Sequence, residues 1–537
     1  MWDTRSSRVQ EIVLTPSREM PSEKEPRQSI WLFGVLVFAL GYLYASLFSL
    51  TGTPHLRSGD EDFFWTYASR LLSGQVFLRD FHQFTPPGTD LVYAALFAVF
   101  GTSMRSIDWI ILCLGMVLTI ACFLSARAVM RSNMAGLAAL LCVVLLFGDR
   151  MDATHHWFSA LANLLAILVL MPRRSYLRIV ASACLIGVAA FCTQTAGAMG
   201  LLACCAGLCW EKRIGRISGS LLWSRLAVFL ASAFGAWLLL SWRFIAKAGF
   251  GNYWYAQVLY LPKDVSYPLG FLVPPFHVPT YSRGWITLAD HLAVYLMLLL
   301  ICPWVATRCW RRRPKTLENS VALMLLASLG IFQTLEVITM LNWNRMAAVA
   351  MPAVILCVWL ISQRHPAKPS IAVACWSVAC GMILVQVGVT QFHHSTAVNL
   401  PTGSALFQDD EVEEAEWLVQ HTRPGDCFFE VANTRLYVPF ALRNPTPVDV
   451  LSAGDWTLAH WVDEAVDGLE ACRTRYILWE PRAGIGTVEQ RHQTPSDHLD
   501  PLRRYMQKNF KRTYTFANGG EIWMRTNEDN RASGLAN

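Results

Sequence analysis

The chain repeatedly contains apolar stretches longer than a soluble core requires. The first, Ile30–Leu50, has 21 residues and no charge. A helix needs about 20 apolar residues to cross ~30 Å of hydrocarbon. Only helices and closed barrels satisfy every backbone polar group there. Similar runs recur near 107–126, 133–148, 155–171, 177–193, 195–210, 222–243, 288–306, 320–340, 345–362 and 370–391. They predict an α-helical polytopic membrane protein of about 11 spans. Only 16% of the residues are charged and 54% are hydrophobic, with a mean hydropathy of +0.33. A soluble protein is about 25% charged, so a soluble enzyme with one anchor is excluded.

A further apolar run, Leu91–Gly101, has eleven residues and is too short to span. The charges decide its place. With the N-terminus in the cytoplasm and 91–101 not crossing, Arg127/Arg131, Arg173/Arg174/Arg178, Lys212/Arg213/Arg216/Arg225, Arg308–Lys315 and Arg364/Lys368 all fall in inner loops. That is a strong positive-inside pattern. Counting 91–101 as a span would put all of them outside. The run is therefore read as an interfacial or re-entrant helix on the outer face. The first outer loop, 51–106, loop 244–287, the turn GDRMDATHH (Gly148–His156) and the C-terminal region then lie outside.

Residues 1–29 form a polar leader rich in Ser, Pro, Glu and Arg, a composition of disordered segments. The run behind it lacks a cleavage site and reads as a retained span. Residues 30–391 are the transmembrane domain. From 392 to 537 the composition changes to that of a small α/β domain. Glu411–Gln420 reads as an amphipathic helix, CFFEV (427–431) and RYILW (475–479) as strands. KRTYTFANGGEIWMR reads as a hairpin turning at Asn518-Gly519. Its two cysteines, Cys427 and Cys472, would be neighbours if their strands are parallel; free buried thiols are the favoured expectation. Most of the fifteen cysteines sit in apolar runs as small hydrophobes, and no CxxC or Cys/His spacing marks a metal site. The net charge of +6 is explained by membrane topology. It does not point to nucleic acid, and no phosphate-binding glycine loop stands in a strand-to-helix context.

The stretch RSGDEDFFWTYASRLLSGQVFLRDFHQFTPPG (Arg57–Gly88) follows the first run directly. Ser58-Gly59-Asp60-Glu61 fits a capping box at a helix start. Phe64, Tyr67, Ala68 and Leu71 form an apolar stripe. Asp62, Thr66, Ser69 and Arg70 face the other way, as on an amphipathic helix lying on the membrane surface. A second acidic pair, Asp149 and Asp152, stands at the outer end of the third span. Acids at membrane depth are costly and usually face a polar cavity. Two carboxylate sites opening into one cavity suit acid/base chemistry on a lipid-linked substrate.

The first loop resembles that of GT-C membrane glycosyltransferases. The match is an acidic pair (Asp60-Glu61), then Leu71-Leu72-x-Gly74, Arg79-Asp80-Phe81, Pro86-Pro87-Gly88 and Phe100-Gly101. The branch it is most similar to contains the bacterial protein O-mannosyltransferase-like and lipid A aminoarabinose transferase-like enzymes. The resemblance covers roughly residues 30–391 and is specific in the first loop alone. It implies a sugar donor on a polyprenyl phosphate and an acceptor hydroxyl on an envelope glycan, lipid or protein. It also implies transfer with inversion at the outer face of a bacterial inner membrane. Asp60 is the implied base and Glu61 its support. Related enzymes often carry a basic residue before the double proline, where this chain has Thr85. Arg79 and Arg345 are the substitutes for the donor phosphate contact. Gln194, His155 and His156 are candidates to line the cavity. No cofactor is required, and a divalent metal is compatible with this reading without being indicated by it. A flippase for lipid-linked sugars, or a polysaccharide ligase or polymerase using pyrophosphate-linked donors, is the alternative. The large first loop, the outer domain and the lack of visible repeats weigh against the flippase.

Overall fold

The computed structural model describes residues 28–526 except 58, 150, 173, 261–262, 264–283, 312–318, 339–342, 365–368, 393–394 and 455. The leader therefore lies almost wholly outside the described residues. Each of the eleven apolar runs lies on helix. The helices are α1 (Gln28–Leu47), α2 (Glu61–Leu72), α3 (Gly88–Phe100), α4 (Met104–Arg127), α5 (Ser132–Leu141), α6 (His155–Leu170), α7 (Tyr176–Cys192) and α8 (Gln194–Arg213). They continue with α9 (Gly219–Ala248), α10 (Phe250–Trp254), α11 (Gly284–Arg311), α12 (Ser320–Val337), α13 (Trp343–Val349), α14 (Met351–Arg364) and α15 (Pro369–Phe392). Serine side chains cap three of them. Ser103, Ser175 and Ser218 accept from the backbone N–H of Ser106, Arg178 and Leu221, satisfying donors that the first turn leaves free.

Among the described residues, five helices are long and apolar enough to cross a membrane alone, and six if the α13–α14 pair counts as one. The 345–362 run, expected as one span, is such a pair. Its halves meet at 55° around Ala350, with Pro352 in the first turn of α14. The 133–148 run is interrupted too, passing from α5 into a π turn at Cys142–Leu146 and a 3-10 turn at Phe147–Asp149. Breaks of this kind are tolerated at membrane depth where they are buried in protein or line a cavity.

The polar face of α2 departs from expectation. It does not lie on a wet membrane surface: Asp62, Thr66 and Arg70 are as buried as Phe64 and Ala68. The C-terminal α/β domain covers that face, so both sides of the helix are packed.

The C-terminal domain, expected on the outer side, begins with a hairpin, β1 (Ser395–Val398) and β2 (Ala405–Gln408). It continues through α16 (Asp409–His421), β3 (Phe428–Glu430), α17 (Ala459–Ala471), β4 (Tyr476–Trp479), α18 (Asp500–Asn509), β5 (Phe510–Thr515) and β6 (Glu521–Arg525). The four-stranded sheet has the order β3-β4-β6-β5. β3 and β4 are parallel and the other pairs antiparallel. Phe429, Ile477 and Trp479 on one side of the sheet pack with Val462, Leu469, Leu502 and Met506. The expected hairpin forms as β5–β6, and Gly519 takes the positive φ of +88° that its turn needs.

Cys427 and Cys472 are joined in a disulfide with Cα atoms 6.4 Å apart, where free thiols were expected. The parallel pairing of β3 and β4 brings the residue before β3 beside the residue that ends α17. The bridge closes a separation of 45 residues, worth about 4 kcal/mol if it acts by restricting the unfolded chain. Thiol labelling of the unreduced, denatured protein should leave these two residues unmodified. Replacing both by Ser should lower the outer domain's unfolding midpoint; full labelling of both would refute the bridge.

Candidate active site

The acids enter through the start of α2. Asp60 is the N-cap residue, and its side chain makes no capping hydrogen bond. The expected capping box pairs Ser58 with Glu61, and Ser58 lies outside the described residues. Glu61 turns inward and is 2% exposed. Burial, and then the Asp152 carboxylate, push its pKa up to about 8, with the Arg57 guanidinium opposing. The two acidic positions separated in sequence thus meet in space. Asp152, also buried, accepts from Trp157 Nε1 at 2.9 Å, so α6 fixes the second carboxylate. Tyr93 of α3 stands among these acids. Its hydroxyl donates to the Ala153 carbonyl at 3.2 Å. Burial, and then Glu61, Asp152, Asp62 and Asp108, raise its pKa well above the ordinary phenol range.

Cationic groups border the acids on two sides. Arg57 Nη2 donates to Asp108 Oδ1 at 3.0 Å. Arg345 lies on α13, which packs against α6 and the Phe147–Asp149 turn, and it acts electrostatically on His155, His156 and Glu336. His155 and His156 are buried with ring centroids 3.9 Å apart. The His155 ring meets Phe64 of α2 at 5.1 Å. The start of α2 thus meets both groups: Glu61 interacts with Asp152, and Phe64 packs on the histidines that Arg345 acts upon.

An apolar cavity of about 400 Å³ is lined among others by Pro86, Gln194, Trp237, Tyr253 and Gln257. The turn between α7 and α8 joins it to the histidines. Thr193 Oγ1 donates to the His155 carbonyl at 3.1 Å, Gln194 faces the cavity, and Thr195 Oγ1 donates to Glu336 Oε1 at 2.9 Å. Gln194 Nε2 also donates to the Gln257 carbonyl at 2.9 Å. The double-proline segment docks on the same turn. A Cβ on Gly88 would stand 2.5 Å from the Phe191 carbonyl oxygen, so only glycine permits that approach.

Other candidates sit apart. Arg79 joins neither group: its side chain is 60% exposed and forks onto Asp80 at 2.8 Å. Asp149 ends its 3-10 turn, and its side chain lies outside the described set. Thr85 is buried and accepts from Gln83 Nε2, which also donates to Asp90 Oδ2, both at 2.9 Å. Arg57, Asp108, Tyr93 and Gln257 were not singled out from sequence. A lone acid within the apolar run of α4 was the available signal for Asp108. Among the described residues, no group of three or more His, Cys, Asp or Glu side chains is arranged to hold a metal ion.

The sequence matches no family model and no curated protein. Solved structures do match. The fold is similar to that of ArnT from Cupriavidus metallidurans bound to undecaprenyl phosphate. The TM-score is 0.57 at 13% identity, over 92% of this chain and 98% of that one. It is also similar to the Archaeoglobus fulgidus oligosaccharyltransferase AglB in complex with an inhibitory peptide and a dolichol-phosphate. There the TM-score is 0.52 at 12% identity, over 94% and 75% of the chains. With its acid-bearing first loop, long apolar helices and C-terminal α/β domain, this chain has the fold of the GT-C membrane glycosyltransferases.

Proposed function

We propose that this protein is an inverting membrane glycosyltransferase. It moves a sugar from a polyprenyl-phosphate donor to a hydroxyl of an envelope glycan, lipid or protein. The observation that carries this reading is a buried pair of interacting carboxyls, Glu61 and Asp152, in a fold whose Thr193–Thr195 turn ties His155 and Glu336 to an apolar cavity. A lipid-linked sugar has the matching shape: an apolar chain, one anionic junction and a polar head. Two structures sharing the fold hold polyprenyl phosphates, which supports the donor class.

In this reading the acceptor oxygen attacks the anomeric carbon from the face opposite the phosphate. The carbon–oxygen bond to the phosphate breaks, and the hydroxyl proton passes to Asp60. The polyprenyl phosphate leaves as an anion beside Arg345, whose planar guanidinium suits phosphate oxygens. Glu61, protonated at neutral pH by virtue of its raised pKa, supports as a hydrogen-bond donor. No cofactor is needed, because one phosphate is neutralised by arginine alone. The deciding experiment is mass spectrometry of envelope glycans and polyprenyl-phosphate sugars in a deletion strain. A missing glycan substituent with an accumulating outer-leaflet lipid-linked monosaccharide is expected. Accumulation confined to the inner leaflet would mean a flippase.

The membrane reading is about eleven spans in a bacterial inner membrane, with the N-terminus cytoplasmic and residues 392–537 outside. It is supported by the eleven helical runs and the basic inner loops. A reporter fused after Gln391 should read extracytoplasmic and one at Arg312 cytoplasmic. Both reporters inverted would mean that the short 88–100 helix crosses; the same side for both would mean that one of the three runs between them does not.

A further inference from the structure

The first outer loop is held by the outer domain at several points on both sides of its acids. Before α2, Leu56 N–H donates to the Leu406 carbonyl, and Leu406 N–H donates to the Pro54 carbonyl, both at 2.8 Å. The segment leading to the acids thus pairs with β2. After α2, His82 N–H donates to the Pro447 carbonyl at 2.8 Å. The His82 ring stacks on Trp461 at 4.9 Å and contacts Glu464 Oε2 at 2.6 Å. On the helix itself, Thr66 Oγ1 donates to the Thr434 carbonyl at 3.3 Å. Arg70 Nη2 donates to the Thr446 carbonyl at 2.8 Å and to Asp449 Oδ1 at 2.7 Å. This pair is buried, with side chains 7% and 1% exposed. Asn444 Nδ2 holds the same Asp449 oxygen at 2.8 Å, so the acceptor is fixed from the domain's own side.

We infer that the outer domain is part of the catalytic machinery, with Arg70 and Asp449 as the positioning pair that sets the acids of α2. The inference rests on the glycosyltransferase reading above. A helix is a stiff rod with a rise of about 1.5 Å per residue, so the last turn of α2 fixes the place of its first. The face of α2 opposite the pair packs through Phe64 and Ala68, whose apolar contacts are non-directional. The buried ion pair accepts one geometry. A displacement of about 1 Å at a reacting group costs on the order of 10²-fold in rate. The pair therefore acts through Asp60 and Glu61 and touches no substrate.

The test measures transfer from polyprenyl-phosphate sugar by the full-length purified protein, with unfolding temperature alongside. Asp449→Asn keeps the shape and removes the charge. It should lower kcat by roughly 10–10²-fold and change the donor KM less than twofold. Arg70→Lys keeps the charge, reaches fewer acceptors, and should fall between Asp449→Asn and wild type. It also serves if Asp449→Asn fails to fold. Asp497→Asn breaks another buried pair of the outer domain, Arg503–Asp497 at 2.9 Å, away from α2. It should lower the unfolding temperature and leave kcat unchanged. Wild-type kcat in folded Asp449→Asn or Arg70→Lys overturns the positioning role, as does an equal kcat loss in Asp497→Asn. Absence of transfer by wild-type protein would overturn the glycosyltransferase reading instead.

Discussion

Asp60→Asn is expected to lower the turnover of polyprenyl-phosphate sugar by roughly 10²–10⁴-fold, the range of a lost general base, with folding intact. Asn is as good an N-cap as Asp, and the Asp60 side chain makes no capping bond to lose. A defect therefore reports chemistry. Glu61→Gln separates the two acids. Glutamine mimics the protonated carboxyl, and Glu61 titrates near 8 because of burial and Asp152. In wild type, kcat/KM should fall as pH rises through about 8, where Glu61 ionises and ceases to donate. In Glu61→Gln that fall should vanish. The stability contribution has the same sign. The folded pKa lies above the unfolded one, so it is fully present below the ordinary carboxyl value of 4.5 and lost as pH rises through about 8. A rate that instead rises through pH 8, and is abolished in Glu61→Gln, would make Glu61 the base. Near-wild-type turnover by Asp60→Asn would sink its assignment.

Arg345→Gln is expected to cost roughly 10²–10³-fold in kcat, the scale of one lost group stabilising developing charge. The leaving phosphate gains charge as the glycosidic bond breaks, and Arg345 stands with His155, His156 and Glu336. Arg345→Lys should recover part of the rate, since a point charge replaces a planar fork. A simple interfacial anchor predicts something else: poorer membrane assembly with normal kcat in the assembled fraction. Arg79→Gln is the comparison. Its guanidinium is exposed and committed to Asp80, so it should change kcat by less than about twofold, as for a surface ion pair.

Much of the architecture was legible because it depends on local properties. Apolar length marked the eleven helical runs. The 2-residue period and Asn518-Gly519 marked the β5–β6 hairpin. The first-loop motifs pointed to the GT-C fold without any close relative in sequence. The misreadings all came from contacts made at a distance. The polar face of α2 looked solvated because Asp62, Thr66 and Arg70 alternate with apolar residues at helical spacing. That spacing is the same whether water or a protein domain covers the face.

The sequence by itself determined which segments are apolar enough to form buried or membrane helices, and where acids stand next to an apolar run. These follow from transfer free energy and charge, which each segment carries wherever it is placed. Only the tertiary structure decided which polar groups meet. It brought Glu61 to Asp152, and it tied Arg70 to Asp449 across 379 residues. It bridged Cys427 to Cys472 and left Arg79 in solvent. The physical reason is burial: a carboxyl or guanidinium acquires its energetics from the neighbours that replace its water, and those neighbours are chosen by the packing of elements far apart in the chain.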